Sequence, residues 1–277
     1  MHLVKQIAFL FLGILTQLKT VTMKSLRKYP FAAAVLFLLF IQIPVFLSGI
    51  AASDRRKITL PQFEHLSTTS IKSFDELVRL TADSLYNEME LSTTGLESEA
   101  FQLAFKGYSK LLQEGLVNIS NILTIADFSK PSSEKRLFVF DMEQHKILFN
   151  TLVAHGRNSG LNYATSFSNK KESNKSSLGF YVTLETYNGE NGYSLKLKGL
   201  EKGFNNNAYD RAIVVHGSDY VNSSFAASNG YLGRSLGCPA VPRKQAKSII
   251  NTIKNGSVLF IYHPEENYIN NSPLLNS

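Results

Sequence analysis

Two residues of this chain have the types and setting for nucleophilic chemistry. Cys238, its only cysteine, sits in Arg234-Ser235-Leu236-Gly237-Cys238-Pro239, and His216 with Gly217 closes an apolar run upstream. A cysteine attacks a carbonyl carbon effectively only as a thiolate. It therefore needs a nearby proton acceptor, and histidine titrates in the useful range. A lone cysteine is more often an inert, buried small hydrophobe. Here, however, Gly237 and Pro239 flank the thiol where a core strand would carry branched apolar residues, and Ser235 adds a hydroxyl nearby. Small residues around the sulfur let a substrate backbone come close.

The elements that must position this pair are legible as two pattern regimes. Ser73-Phe74-Asp75-Glu76 is a capping box that opens a helix running toward Leu91. Ser98 opens a second helix, whose Phe101, Ala104, Phe105, Tyr108, Leu111 and Leu112 share one face, with Gly115 placed to end it. Beyond that point the pattern shifts to short β-rich runs: Ile122–Ala126, Leu137–Phe140, Ile147–Val153, Phe180–Thr186, Tyr193–Leu197, Ile213–His216 and Val258–Tyr262. One late helix is expected from about Pro242 to Lys254. The fold class is mainly β (α+β), a catalytic domain behind a small helical segment. The expected division is 54–72 linker, 73–118 helical segment, 119–264 catalytic domain and 265–277 tail. The Ser-, Asn- and Lys-rich loop from Ala164 to Ser177 is placed to close over a cleft. The stretch from Gly217 to Gly237 is long enough to bring base and nucleophile to one end of the sheet.

Charge excludes one class of partner. Residues 1–57 hold eight Lys or Arg against one acidic residue, whereas 58–277 carry 21 basic and 21 acidic side chains. The basic balance belongs to the amino terminus, and no concentrated basic stripe suited to nucleic acid remains. Lys24, Arg27 and Lys28 precede an apolar stretch from Phe31 to Leu47, and small residues from Ser48 to Ser53 follow it. Residues 1–53 are read as a signal peptide or a signal anchor in the membrane, with Met23 a natural alternative start. This implies export to the periplasm or cell envelope. An exported chain with one cysteine makes no internal disulfide, which again favours a thiol kept for chemistry. No Cys/His cluster has metal spacing and no phosphate-binding glycine loop is present, so neither metal nor cofactor is expected.

From about Leu96 to Tyr262 the chain resembles the murein L,D-transpeptidase catalytic domain family. The resemblance is carried by Asp127-Phe128-Ser129-Lys130-Pro131-Ser132, Val153-Ala154-His155-Gly156, Asn158-Ser159-Gly160 and Ser176-Ser177-Leu178-Gly179-Phe180-Tyr181. It is carried most specifically by Arg211-Ala212-Ile213-Val214-Val215-His216-Gly217 and Gly233-Arg234-Ser235-Leu236-Gly237-Cys238-Pro239-Ala240-Val241. The resemblance implies a β-sandwich catalytic domain and peptidoglycan stem peptides as partners. It makes Cys238 the acylated nucleophile and His216 its base, with a carbonyl near Gly217 orienting the imidazole and Asp219 a lesser candidate for that task. Backbone N–H groups of Gly237 and Cys238 would stabilise the oxyanion. The implied reaction expels the terminal D-alanine of a tetrapeptide stem and makes a 3,3 cross-link, or, with water as acceptor, is an L,D-carboxypeptidase reaction. Acylation of Cys238 by carbapenems is implied too.

One departure stands out. Many members carry arginine shortly after the cysteine, where this chain has Pro239-Ala240-Val241, so Arg234 is expected to meet a substrate carboxylate from the other side. Ser235, His155 and Tyr181 are expected to join it in lining the pocket. Two other classes compete. A general cysteine peptidase of the papain type places cysteine before histidine, the reverse of the order here. A noncatalytic wall-binding module would have no use for both Cys238 and His216, and its thiol would titrate ordinarily.

Overall fold

The computed structural model describes residues 73–276. The amino-terminal segment 1–53, read as a signal or anchor, and the 54–72 linker lie outside the described residues. Among the described residues no helix is long and apolar enough to cross a membrane.

Helix α1 spans Phe74–Glu88, and the Ser73 hydroxyl accepts the Glu76 N–H at 3.2 Å, as the capping box requires. Helix α2 spans Ser98–Gln113 and buries Ala100, Phe101, Ala104, Phe105, Tyr108 and Leu111. It ends where Gly115 takes φ 68°. Leu116 N–H then reaches Leu111 O at 3.0 Å and Gly115 N–H reaches Leu112 O at 3.1 Å, a Schellman closure that L side chains disfavour at the glycine position.

Eight strands follow: β1 Ile122–Asp127, β2 Leu137–Asp141, β3 Lys146–Thr151, β4 Gly179–Gly189, β5 Gly192–Gly199, β6 Val214–Ser218, β7 Ala240–Pro242 and β8 Val258–Tyr262. They form one sheet in the order β3-β2-β1-β8-β4-β5-β6-β7. The sheet is mixed, with β1/β8 and β6/β7 parallel and the other neighbours antiparallel. Its two ends come back together: just past β3, Ala154 donates to Ala240 O on β7 at 2.8 Å and accepts from Ala240 N–H at 3.3 Å. The sheet is therefore a nearly closed barrel, which removes most of the exposed strand edge.

Three further helices are α3 Ser223–Asn229, α4 Arg243–Ile253 and α5 Glu266–Asn271. The sequence pattern anticipates α4 and leaves α3, α5 and β7 unseen, because each is too short to show a period. On the face that helix α2 covers, Phe180 of β4 stacks on Phe260 of β8 at 4.1 Å, and these two are register partners. Helix α2 lies against them at Gly107, where a methyl group would sit 2.1 Å from the Phe180 ring.

Candidate active site

Strand pairing brings His216 and Cys238 to one cavity. His216 is central in β6, its register partner across the parallel ladder is Ala240 of β7, and Cys238 lies just before that strand. Both side chains line a cavity of about 430 Å³, together with Arg211, Tyr220, Arg234 and Ser235. The Glu190-Asn191 tip of the β4–β5 hairpin overhangs it.

His216 is only 4% exposed. Its Nδ1 faces Gly217 O at 3.3 Å, and a carbonyl can only accept, so Nδ1 carries the proton and Nε2 the lone pair. Burial pushes the imidazole pKa down, which keeps the ring neutral near pH 7. Gly217 is needed for a second reason: a side chain there would meet Ala246 of α4 at 2.7 Å. Asp219 is not part of this arrangement, because its carboxylate is exposed and paired with Arg243 Nε at 2.7 Å.

The Cys238 thiol is free and half-buried. Its sulfur accepts the Val214 N–H at 3.5 Å and donates to Ala212 O at 3.7 Å. Ala212 holds a left-handed φ of 54°, which aims that carbonyl. Burial pushes the thiol pKa up, opposed by the Val214 N–H and the nearby Arg211 guanidinium. At rest the cavity thus holds a neutral thiol and a neutral imidazole.

The loop that presents the sulfur is clamped from inside. Ser235 Oγ accepts the Gly237 N–H at 3.1 Å and donates to Cys238 O at 2.7 Å. Gly237 O accepts from Ser176 Oγ at 3.1 Å. Ser235 is therefore a brace of the loop at the cavity wall, and the Gly237 N–H is already engaged rather than open to an oxyanion. The Cys238 N–H acts on its own sulfur. Gly237 has φ 124°, and a methyl group there would lie 2.9 Å from Lys175 O and 3.1 Å from Ile213 Cδ1. Gly237→Ala is expected to lower turnover by roughly 100-fold, the scale on which about 1 Å of misplacement acts. Steady-state rates beside a thermal melt would separate this from global unfolding.

Arg211, at the head of the His216 run in the sequence, is central to this cavity. Its guanidinium donates to Ser168 O at 2.6 Å, Lys175 O at 2.7 Å and Ser173 Oγ at 3.2 Å, and also to Ser177 Oγ. These bonds fasten the 164–177 loop behind Arg211, and none of that loop's residues is among those lining the cavity. Tyr220, Glu190 and Asn191 were missed. Only the lone charge at the head of an apolar strand, Arg211, left a signal in the sequence.

Arg234 does stand on the cavity rim. Its Nη1 is shared between Arg157 O at 3.3 Å and Gly160 O at 3.2 Å, and the guanidinium lies 5.8 Å from the Tyr231 ring centre. His155 and Tyr181 do not line the cavity, since both are 0% exposed. His155 is turned toward Arg136, and Tyr181 points into the barrel with its hydroxyl on Ser177 O at 2.9 Å. Strand alternation explains Tyr181: its neighbour Val182, not Tyr181, faces outward.

A nearly closed mixed barrel that brings a thiol and an imidazole from adjacent strands into one cavity has the layout of a catalytic domain. A profile of the L,D-transpeptidase catalytic domain matches residues 92–262, and the chain belongs to that family. Among solved structures, it is similar to an L,D-transpeptidase from Mycobacterium smegmatis at 13% identity, covering 52% of this chain and 59% of that one, with a TM-score of 0.32. It is similar to an L,D-transpeptidase from Mycobacterium tuberculosis H37Rv at 13% identity, covering 52% and 58%, with a TM-score of 0.34. A third, from Xylanimonas cellulosilytica, shows 15% identity over 56% and 68%, with a TM-score of 0.30. The chain thus spans 59% and 58% of the two mycobacterial structures. No curated protein sequence matches it.

Proposed function

We propose that this protein is a cysteine acyltransferase of the cell envelope that makes 3,3 cross-links between peptidoglycan stem peptides. The observation that carries the reading is the meeting of Cys238 and His216 in one cavity, with His216 in the tautomer that offers Nε2 as a base. When a tetrapeptide stem binds, the sulfur leaves Ala212 O and gives its proton to His216 Nε2. The thiolate then forms a C–S bond to the carbonyl before the terminal D-alanine, and the carbonyl electrons move onto oxygen. Collapse breaks the C–N bond, and the imidazolium protonates the departing D-alanine amine. An amine of a second stem attacks the thioester and loses its proton to His216, and the thiolate leaves. Water in place of the amine gives an L,D-carboxypeptidase.

Mass spectrometry of purified tetrapeptide muropeptides, incubated with the protein and with Cys238→Ala, tests this. Cross-linked dimers are expected with the first and none with the second. Loss of D-alanine without dimers would assign the carboxypeptidase reaction. Identical products from both proteins would remove the muropeptide reading and favour a wall-binding module.

A further inference from the structure

Behind the nucleophile loop lies a buried charge that the reaction above does not use. Arg136, just before β2, is 0% exposed. Taking a guanidinium out of water costs several kcal/mol unless its donors are met. Nε and Nη2 donate to Val153 O at 3.0 and 2.9 Å, and Nη1 donates to Lys130 O at 2.7 Å. The group also lies 4.7 Å from the Phe128 ring centre, and the Asp127 carboxylate supplies favourable charge. One more Nη2 contact goes to His155 Nδ1 at 2.8 Å.

That contact fixes the histidine. A guanidinium only donates, so Nδ1 is the bare nitrogen and Nε2 carries the proton. Nε2 faces Gly160 O at 3.3 Å and donates to it, and the same oxygen receives Arg234 Nη1 at 3.2 Å. Burial, reinforced by Arg136, pushes the imidazole pKa down to about 3, so the ring stays neutral across the working range.

The backbone of this segment is the template for the nucleophile loop. Ser235 N–H donates to His155 O at 3.0 Å, and Arg157 N–H donates to Ser235 O at 2.8 Å. Gly156 N–H donates to Ser176 Oγ at 3.0 Å, the hydroxyl that in turn holds Gly237 O. Contact is so close at Gly156 that a methyl group would lie 2.9 Å from Gly237 Cα. Whatever sets the path of residues 153–160 therefore sets the path of the loop that carries Cys238.

We propose that Arg136 and His155 are positioning residues, which lock segment 153–160 from the core side so that the loop laid on it presents Cys238 to His216. This rests on the reading of Cys238 as nucleophile and His216 as base. The coupling runs Arg136, His155, Gly160 O and Arg234 along the side chains, and His155 to Ser235 along the backbone.

The test uses the full chain and two variants. His155→Gln can accept from Arg136 through its carbonyl and donate to Gly160 through its amide, while His155→Leu can do neither. Expected for His155→Leu is a roughly 100-fold fall in kcat with KM little changed, and slower alkylation of Cys238 by iodoacetamide at every pH. His155→Gln is expected to stay within about threefold of the parent in both. Equal losses in the two variants would reduce His155 to packing and overturn the proposal. So would parent-like alkylation and turnover in folded His155→Leu.

If His155→Leu fails to fold, nitrogen-15 NMR of the parent decides. The proposal expects a His155 ring protonated at Nε2 and not titrating between about pH 5 and 8. An Nδ1-protonated or titrating ring would end it. A parent with no Cys238-dependent turnover would instead remove the proposed function, while the alkylation and NMR results would still decide the positioning role.

Discussion

His216→Ala is expected to lower kcat/KM by about 10³-fold, a loss of roughly 4 kcal/mol of transition-state stabilisation, without unfolding the domain. The size follows from the state of the thiol. Burial pushes the Cys238 pKa up, so little thiolate exists near neutral pH unless a base takes the proton as the substrate is attacked. His216 meets that need because Gly217 O occupies its Nδ1–H and leaves Nε2 bare. The pH profile carries the sharper signature. A base works only when neutral, and burial lowers the His216 pKa, so parent activity should persist at more acidic pH than an ordinary histidine would allow. In His216→Ala the residual rate should instead climb with alkali as the thiol ionises by itself, through a midpoint above the ordinary thiol range. A variant whose profile overlays that of the parent would show that His216 is not the base.

The pair Cys238 and His216 was legible because both sit in short motifs whose flanking glycines and apolar run are unusual for plain core residues. The helical segment and most strands were legible from hydrophobic period and from the Ser73 and Gly115 signals. His155 misled because a histidine beside a glycine is a local signal, while the direction of its ring is set by Arg136, just before β2. Ser235 lines the cavity, but its second task was not legible: its hydroxyl serves the loop's own backbone, which no spacing reveals. Arg211 and Tyr220 reach the cavity only through the register of β6 and the return of the chain toward β7. The residues after 264 offered no period to read, and a short polar stretch looks like a tail. In the structure Tyr268 is 0% exposed, and Leu274 and Leu275 join the core at 8% and 4%.

Glu201→Ala is expected to be the most destabilising single change outside the site, because this carboxylate ties that carboxyl-terminal segment to the barrel. Glu201 is 0% exposed, just past the end of β5. Its Oε2 accepts the Phe180 N–H at 2.7 Å and the Tyr268 hydroxyl at 2.9 Å, and Oε1 accepts the Ser272 hydroxyl. Truncation would leave three buried donors without their acceptor, a loss of about 4 kcal/mol, or roughly 10 °C in melting temperature for a domain of this size. The effect should reach the site, since Phe180 N–H sets the start of β4. The residues just before that strand, Ser176 and Ser177, hold Gly237 O and Arg211.

Charge gives this prediction a second arm. Burial raises the Glu201 pKa, so the native state holds the proton more tightly than the unfolded chain. Stability from this group is then complete below the ordinary carboxylate range and falls as pH rises toward the native pKa. Glu201→Gln removes that slope and keeps one acceptor for Phe180, with the Tyr268 and Ser272 hydroxyls free to rotate and accept from its amide. Melts of the parent and both variants across the acidic to neutral range should therefore show a large loss for alanine and a smaller, pH-independent difference for glutamine. A melting temperature unmoved by alanine would mean that residues 266–276 contribute little to holding the barrel together.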